Sequence, residues 1–369
     1  MFSEYDEKLA NLSVNYSINV KKGDRIVIIG AVLARDLLLA LKAEILKAGG
    51  HPLILPELDG EDEIFFKYAS NEQLAYFDDI YLTFAREFAG YIRIFADYNT
   101  KKLSNVDPKK LGITRGVAKR FEMMKIANER ELKGEFFWTV VPYPCQAFAQ
   151  EANMDLYSYT EFVSKALFLD KENPVEEWQK IDTRQEKIVK YLNRVKNIHV
   201  LGEDTDLTLS VEGRNWINCS GQKNLPDGEV YTGPVENSVN GHIRFTFPGI
   251  YQGREIENIY LEFEKGKVIY ATADKGQDLL DEILKVRNAK RLGEFAIGTN
   301  FGIKIFTKNM LFDEKMGGTL HCALGLGFPE SGSKNLSAIH WDILKDMKFP
   351  GSKILADEKV IYQEGQWEI

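Results

Sequence analysis

Lys22-Gly-Asp-Arg-Ile-Val-Ile-Ile-Gly30, read together with Asp36 to Lys47 and Pro52-Leu-Ile-Leu-Pro56, decides the fold class. A Lys22-Gly23-Asp24 turn leads into a short apolar run with β-branched residues from Arg25 to Gly30, the pattern of a buried strand. A leucine-rich helix follows from Asp36 to Lys47, closed by Gly49 and Gly50, and Pro52 to Pro56 encloses a second apolar run. This is a strand–helix–strand unit. It implies an α/β domain with a largely parallel sheet.

The neighbouring sequence extends the pattern. Tyr5, Leu9, Leu12 and Tyr16 recur at helical spacing after Ser3, predicting an opening amphipathic helix. Strands are expected at Tyr91 to Ala96 and Phe136 to Val141, alternating with helices at Thr114 to Leu132 and Cys145 to Met154. The loop Gly30-Ala-Val-Leu-Ala34 has one glycine where a dinucleotide-binding turn needs three. No Gly-Lys-Ser or Gly-Lys-Thr follows, so nucleotide binding there is not expected.

Past a charged helix from Thr183 to Lys196, with Ile188, Tyr191, Leu192 and Val195 on one face, the texture changes. Strand-like runs start at Ile198, Asp206, Arg244, Ile259 and Lys267, broken by Glu212-Gly213, Asp227-Gly228, Asn240-Gly241 and Lys265-Gly266 turns. One helix, Asp278 to Asn288, interrupts them, and Lys353 to Trp367 reads as a terminal hairpin. The expected organisation is an N-terminal α/β domain over 1–195 and a β-rich α+β domain over 196–369, the boundary near residue 195.

Composition excludes several classes of function. A formal charge of −8 without a basic run speaks against nucleic acid or an anionic membrane as partner. Three separated cysteines, Cys145, Cys219 and Cys322, offer neither a disulfide framework nor a Cys-x-x-Cys zinc site. The first residues carry charges where a signal peptide needs an apolar run, and no stretch reaches the roughly eighteen apolar residues of a membrane span. A cytoplasmic setting is expected.

The residues that could carry chemistry lie in the second half. On a strand from Ile339 to Ile343, period-2 geometry places His340 and Asp342 on one face and Ile339, Trp341 and Ile343 on the other. A stiff strand presenting an imidazole and a carboxylate can grip one divalent ion. His321 sits in a glycine-rich segment, Gly317 to Gly327. Glu229 opens a strand after an Asp-Gly turn, Glu294 follows Gly293 at the head of an apolar run, and Glu314 lies in Leu311-Phe-Asp-Glu-Lys315.

Taken in order, Pro226-x-Gly-Glu-Val-Tyr-Thr-x-Pro234, Leu292-Gly-Glu294, Asp313-Glu314 ahead of His321-x-Ala-Leu-Gly325, and Asn335-x-Ser-x-x-His-x-Asp342 resemble the thermophilic metalloaminopeptidase family of the aminopeptidase T and S type. The resemblance implies a two-metal exopeptidase that removes N-terminal residues from peptides as a homodimer, with zinc, cobalt or manganese. In it Glu229, Glu294, His321, His340 and Asp342 match the metal ligands, Glu294 being the bridging carboxylate. Glu314 matches either a further ligand or a nearby base.

One position departs from the family pattern. Phe328 stands where the resemblance implies a catalytic tyrosine, seven residues after His321, and it has no hydroxyl for a tetrahedral intermediate. The interval from His321 to His340 is also shorter than the family implies. Three readings stay open: a slower or differently selective peptidase, a hydroxyl supplied by another group such as Tyr231, or a metal-stabilised peptide-binding protein without turnover.

Overall fold

The structure, a computed structural model, describes residues 2–369. The chain divides into two compact units. The first comprises residues up to Glu176 with Gly221–Pro226, and the second Glu177–Ser220 with Asp227–Ile369. The division falls within the helix Pro174–Leu192 rather than near residue 195, because Ile188, Val189 and Leu192 of that helix pack into the second unit's core.

In the first unit, strands β1 (Arg25–Ala31), β2 (His51–Glu57), β3 (Gly90–Phe95) and β4 (Phe137–Pro142) form one parallel sheet in the order β2-β1-β3-β4. Its four strands bear out the α/β expectation. β1 is central, and its Ile26, Val27 and Ile28 are buried. The helix Arg35–Lys47 buries Leu37, Leu38, Leu41 and Ile45 and ends before Gly49, whose φ of +85° suits glycine. Gly30 has a packing role: a Cβ there would lie 2.8 Å from the Cβ of Ile94 on β3. The helix expected over 114–132 is two helices, Pro108–Arg115 and Ala118–Glu131, separated at Gly116 and the extended Val117.

The second unit is built mainly from two antiparallel sheets, with a further two-stranded hairpin of Gly249–Tyr251 and Arg254–Ile256. An eight-stranded sheet runs from an edge at Lys267–Thr272 to an edge at Gln366–Trp367. A five-stranded sheet holds Ile217–Cys219, Glu229–Thr232, Leu292–Gly298, Thr319–Gly325 and His340–Asp346, adjacent in space in that sequence order. One apolar cluster joins the two sheets: Val200, Leu207, Ile243, Leu261 and Ile354 from the larger, and Val230, Phe295, Ile297, Leu320, Leu324, Trp341 and Ile343 from the smaller. Each large side chain so buried contributes roughly 1.5–3 kcal/mol.

Two local readings are corrected. The run beginning at Arg244 is the end of a strand, Asn240–Arg244. Asn240-Gly241 therefore lies within that strand rather than at a turn. Gly241, at φ +101°, is required because a Cβ there would meet the Asp206 carbonyl oxygen of the neighbouring strand at 2.0 Å.

Candidate metal centre

The five-stranded sheet has one apolar face and one polar face, and register decides what the polar face assembles. Gly298 pairs with Glu229, Ala296 with both Tyr231 and His321, Ala323 with both Glu294 and Asp342, and Gly325 with His340. Because directly paired residues point to the same side, Glu229, Tyr231, Glu294, His321, His340 and Asp342 all project from one face. Their alternates, Val230, Phe295, Leu320, Cys322, Trp341 and Ile343, lie in the core. The small residues Ala296, Gly298 and Ala323 stand between the polar side chains and leave them room.

The polar atoms converge. His321 Nε2 is 3.3 Å from Glu229 Oε2 and 3.1 Å from Glu294 Oε1. His340 Nε2 is 3.7 Å from Glu294 Oε2 and 3.4 Å from Asp342 Oδ1. Each oxygen of Glu294 thus faces a different histidine. The groups Glu229–Glu294–His321, Glu294–His340–Asp342 and Glu314–His321–Asp342 each bring one donor atom per residue within 4.8 Å of the others, a spacing that can hold a metal ion. All six residues expected as ligands are brought together.

Donor chemistry and unmet valences fit divalent ions. Glu229 Oε2 and Asp342 Oδ1 are buried oxygens without a well-formed hydrogen bond, each facing an imidazole Nε2, at 3.3 and 3.4 Å, an arrangement that a cation would complete. His340 Nδ1 lies 2.7 Å from the Leu326 carbonyl oxygen. That contact makes Nδ1 the protonated nitrogen and presents the Nε2 lone pair to the pocket, as a metal-ligating imidazole requires. Mixed carboxylate and imidazole donors suit metals of intermediate hardness.

Electrostatics within the pocket is strong. Burial alone would lower the histidine pKa values, but the surrounding carboxylates prevail: Glu294, Glu229 and Asp342 hold His321 up at about 9, and Asp342 and Glu294 hold His340 at about 10. Burial raises Glu294, with His321 opposing it, and lifts Glu314 to about 7. Asp342 resists burial because His340 draws it down to about 2. Without metal, protons on the two imidazoles partly offset the carboxylates.

Glu314 caps the C-terminus of the short helix Met310–Asp313. Phe328 stands beside the centre, its ring centroid 4.8 Å from that of His340 and 5.7 Å from that of Tyr231. Tyr231 donates its hydroxyl to Glu330 Oε1 at 3.1 Å, and burial with the nearby acidic groups pushes its pKa far up. Sequence reasoning missed Lys315, Asp227 and Cys219. Lys315 is buried, with Nζ 2.5 Å from Glu229 Oε1 and 2.7 Å from Glu314 Oε1, and Asp227 and Cys219 form a further group with Glu229. The available signal was adjacency: Lys315 follows Glu314, and Asp227 lies inside the Pro-Asp-Gly-Glu motif.

A family model described as Thermophilic metalloprotease (M29) matches residues 2–367. The chain belongs to that family. It is a hydrolase of a metalloprotease family, as the ordered motifs implied. Aminopeptidase AmpS of Bacillus subtilis (strain 168) is 25% identical over 408 residues, covering 99% of each chain. Aminopeptidase T of Thermus thermophilus is 25% identical over 413 residues, covering 98% of each. Among solved structures, wild-type AmpT from Thermus thermophilus superposes with a TM-score of 0.84 at 23% identity over the full length of both chains. A 2,5-dihydroxypyridine dioxygenase from Pseudomonas putida KT2440 shares the fold more distantly, with a TM-score of 0.59 at 14% identity and 99% and 95% coverage. Among the described residues, no helix is long and apolar enough to cross a membrane.

Proposed function

We propose that this M29 protein is a dinuclear metalloaminopeptidase that removes N-terminal residues from peptides. The observation that carries the reading is Glu294, which turns one oxygen toward His321 and the other toward His340. Glu294 would hold metal together with Glu229 and His321 on one side and with His340 and Asp342 on the other. Charge agrees with that count. Five carboxylates, Asp227, Glu229, Glu294, Glu314 and Asp342, face one ammonium, Lys315, and two divalent ions would cancel the remainder.

Divalent ions in such a site supply Lewis-acid polarisation of a peptide carbonyl and a lowered pKa for water. The residues do the rest. Glu314, lifted to about 7 and at the edge of the His321–Asp342 group, is suited to take and return a proton near neutral pH. Phe328 beside His340 forms an apolar wall against which an N-terminal side chain can rest. Tyr231 is the hydroxyl-bearing residue packed on that wall, held toward Glu330. Zinc, cobalt or manganese suits the donors, and a cytoplasmic homodimer belongs to the same reading by resemblance.

The test uses protein stripped of metal and reconstituted separately with each of the three ions. Two ions per chain and release of free amino acid from a peptide library, abolished by excess chelator, are expected. Release that persists in chelator would refute the proposal. The second reading, metal-stabilised peptide binding without turnover, draws on Phe328 alone. It predicts two bound ions and peptide affinity with no released amino acid.

A further inference from the structure

Lys315 is 2% exposed, and its ammonium lies among the carboxylates of the metal centre: 2.5 Å from Glu229 Oε1, 2.7 Å from Glu314 Oε1 and 3.8 Å from Asp227 Oδ1. Its backbone is tied on both sides. The Lys315 N–H donates to the Phe312 carbonyl at 3.1 Å, and the Lys315 carbonyl accepts from the Asn300 N–H at 3.0 Å. A long, flexible side chain anchored this way and fully enclosed has little freedom left.

The two oxygens of Glu229 are thereby made unequal. Oε1 is engaged by a buried ammonium, a charge-assisted hydrogen bond of the strong kind. Oε2 is buried, without a well-formed hydrogen bond, and lies 3.3 Å from His321 Nε2. A carboxylate with both oxygens free can chelate one ion through both, whereas one with an oxygen already held offers only the other. We propose that Lys315 is a positioning residue that restricts Glu229 to single-oxygen ligation, and steadies Glu314 by the same ammonium. The inference rests on the two-ion reading and adds to it which oxygen of Glu229 is left for an ion.

The test compares full-length wild type with Lys315→Met, which keeps the unbranched stem of the side chain and removes the terminal ammonium. Both are reconstituted with cobalt, counted for metal, and examined by visible absorption, which reports cobalt coordination number. Each is expected to hold two cobalt ions per chain. In the variant, visible intensity should fall to roughly half or less, because Glu229 supplies its second oxygen and the coordination number rises. The companion kinetic result is a lower kcat at unchanged KM.

An unchanged cobalt spectrum with two ions bound would overturn the inference. So would a variant that fails to fold even when refolded with cobalt present, which would make Lys315 a structural tie. A count below two ions in the wild type strikes instead at the two-ion reading, and is told apart because it needs no variant.

Discussion

Glu294→Gln is the substitution that bears most directly on the proposed centre. Glu294 is 4% exposed, and its strand neighbours Phe295 and Ile297 are in the core, so a glutamine of the same volume leaves the sheet in place. What changes is ligation: one side chain serves both the Glu229–His321 group and the His340–Asp342 group. Losing a residue that merely supports a metal ligand costs about 10–100-fold in affinity. Loss of a ligand itself should reach at least the upper end, about 100-fold or about 2.8 kcal/mol for each ion. His340→Ala touches one group, so it should weaken one ion and spare the other. The assay is metal content by mass spectrometry after dialysis against metal-free buffer, with circular dichroism to verify folding. Wild type should retain two ions, His340→Ala one, and Glu294→Gln none. If Glu294→Gln loses no more metal than His340→Ala, Glu294 is not shared and the bridging argument fails.

Two further predictions concern the hydroxyl and a buried charge. Phe328→Tyr restores a hydroxyl beside His340 and should raise kcat on peptides by about 10–100-fold, below the full effect of a lost oxyanion donor; steady-state kinetics showing no gain would exclude that site for the missing group. Lys345, 1% exposed, donates from Nζ to the Glu203 and Arg244 carbonyls, and burial lowers its pKa to about 8. Between about pH 8 and its unfolded value near 10.5 the unfolded chain binds one more proton than the folded one, so wild-type stability should rise with pH relative to Lys345→Met. Denaturant unfolding of both proteins at pH 8 and 10 measures this, and parallel pH dependence would contradict it.

Much of the site was legible in the chain because strand geometry has period two. His340 and Asp342 flank Trp341, and the core-facing Trp341 confirms the alternation read from the sequence. The four motifs named the six residues whose donor atoms converge, because each carries its acid or imidazole next to residues that must pack. The single glycine of the Gly30 loop proves to accommodate Ile94. The helix Pro174–Leu192 was less legible: its apolar face was visible, but which core that face joins depends on contacts distant in sequence.

The strand–helix–strand unit, the β-rich second half, the family and the residue types of the centre could be read along the chain, since these depend on local periodicity and on motifs a few residues long. Folding alone sets Ala296 and Ala323 between the converging carboxylates and imidazoles, divides the oxygens of Glu294 between two histidines, and brings Lys315 among them. Those facts depend on register between strands far apart in the chain. A shift of one residue in that pairing would turn every ligand on the shifted strand into the apolar core.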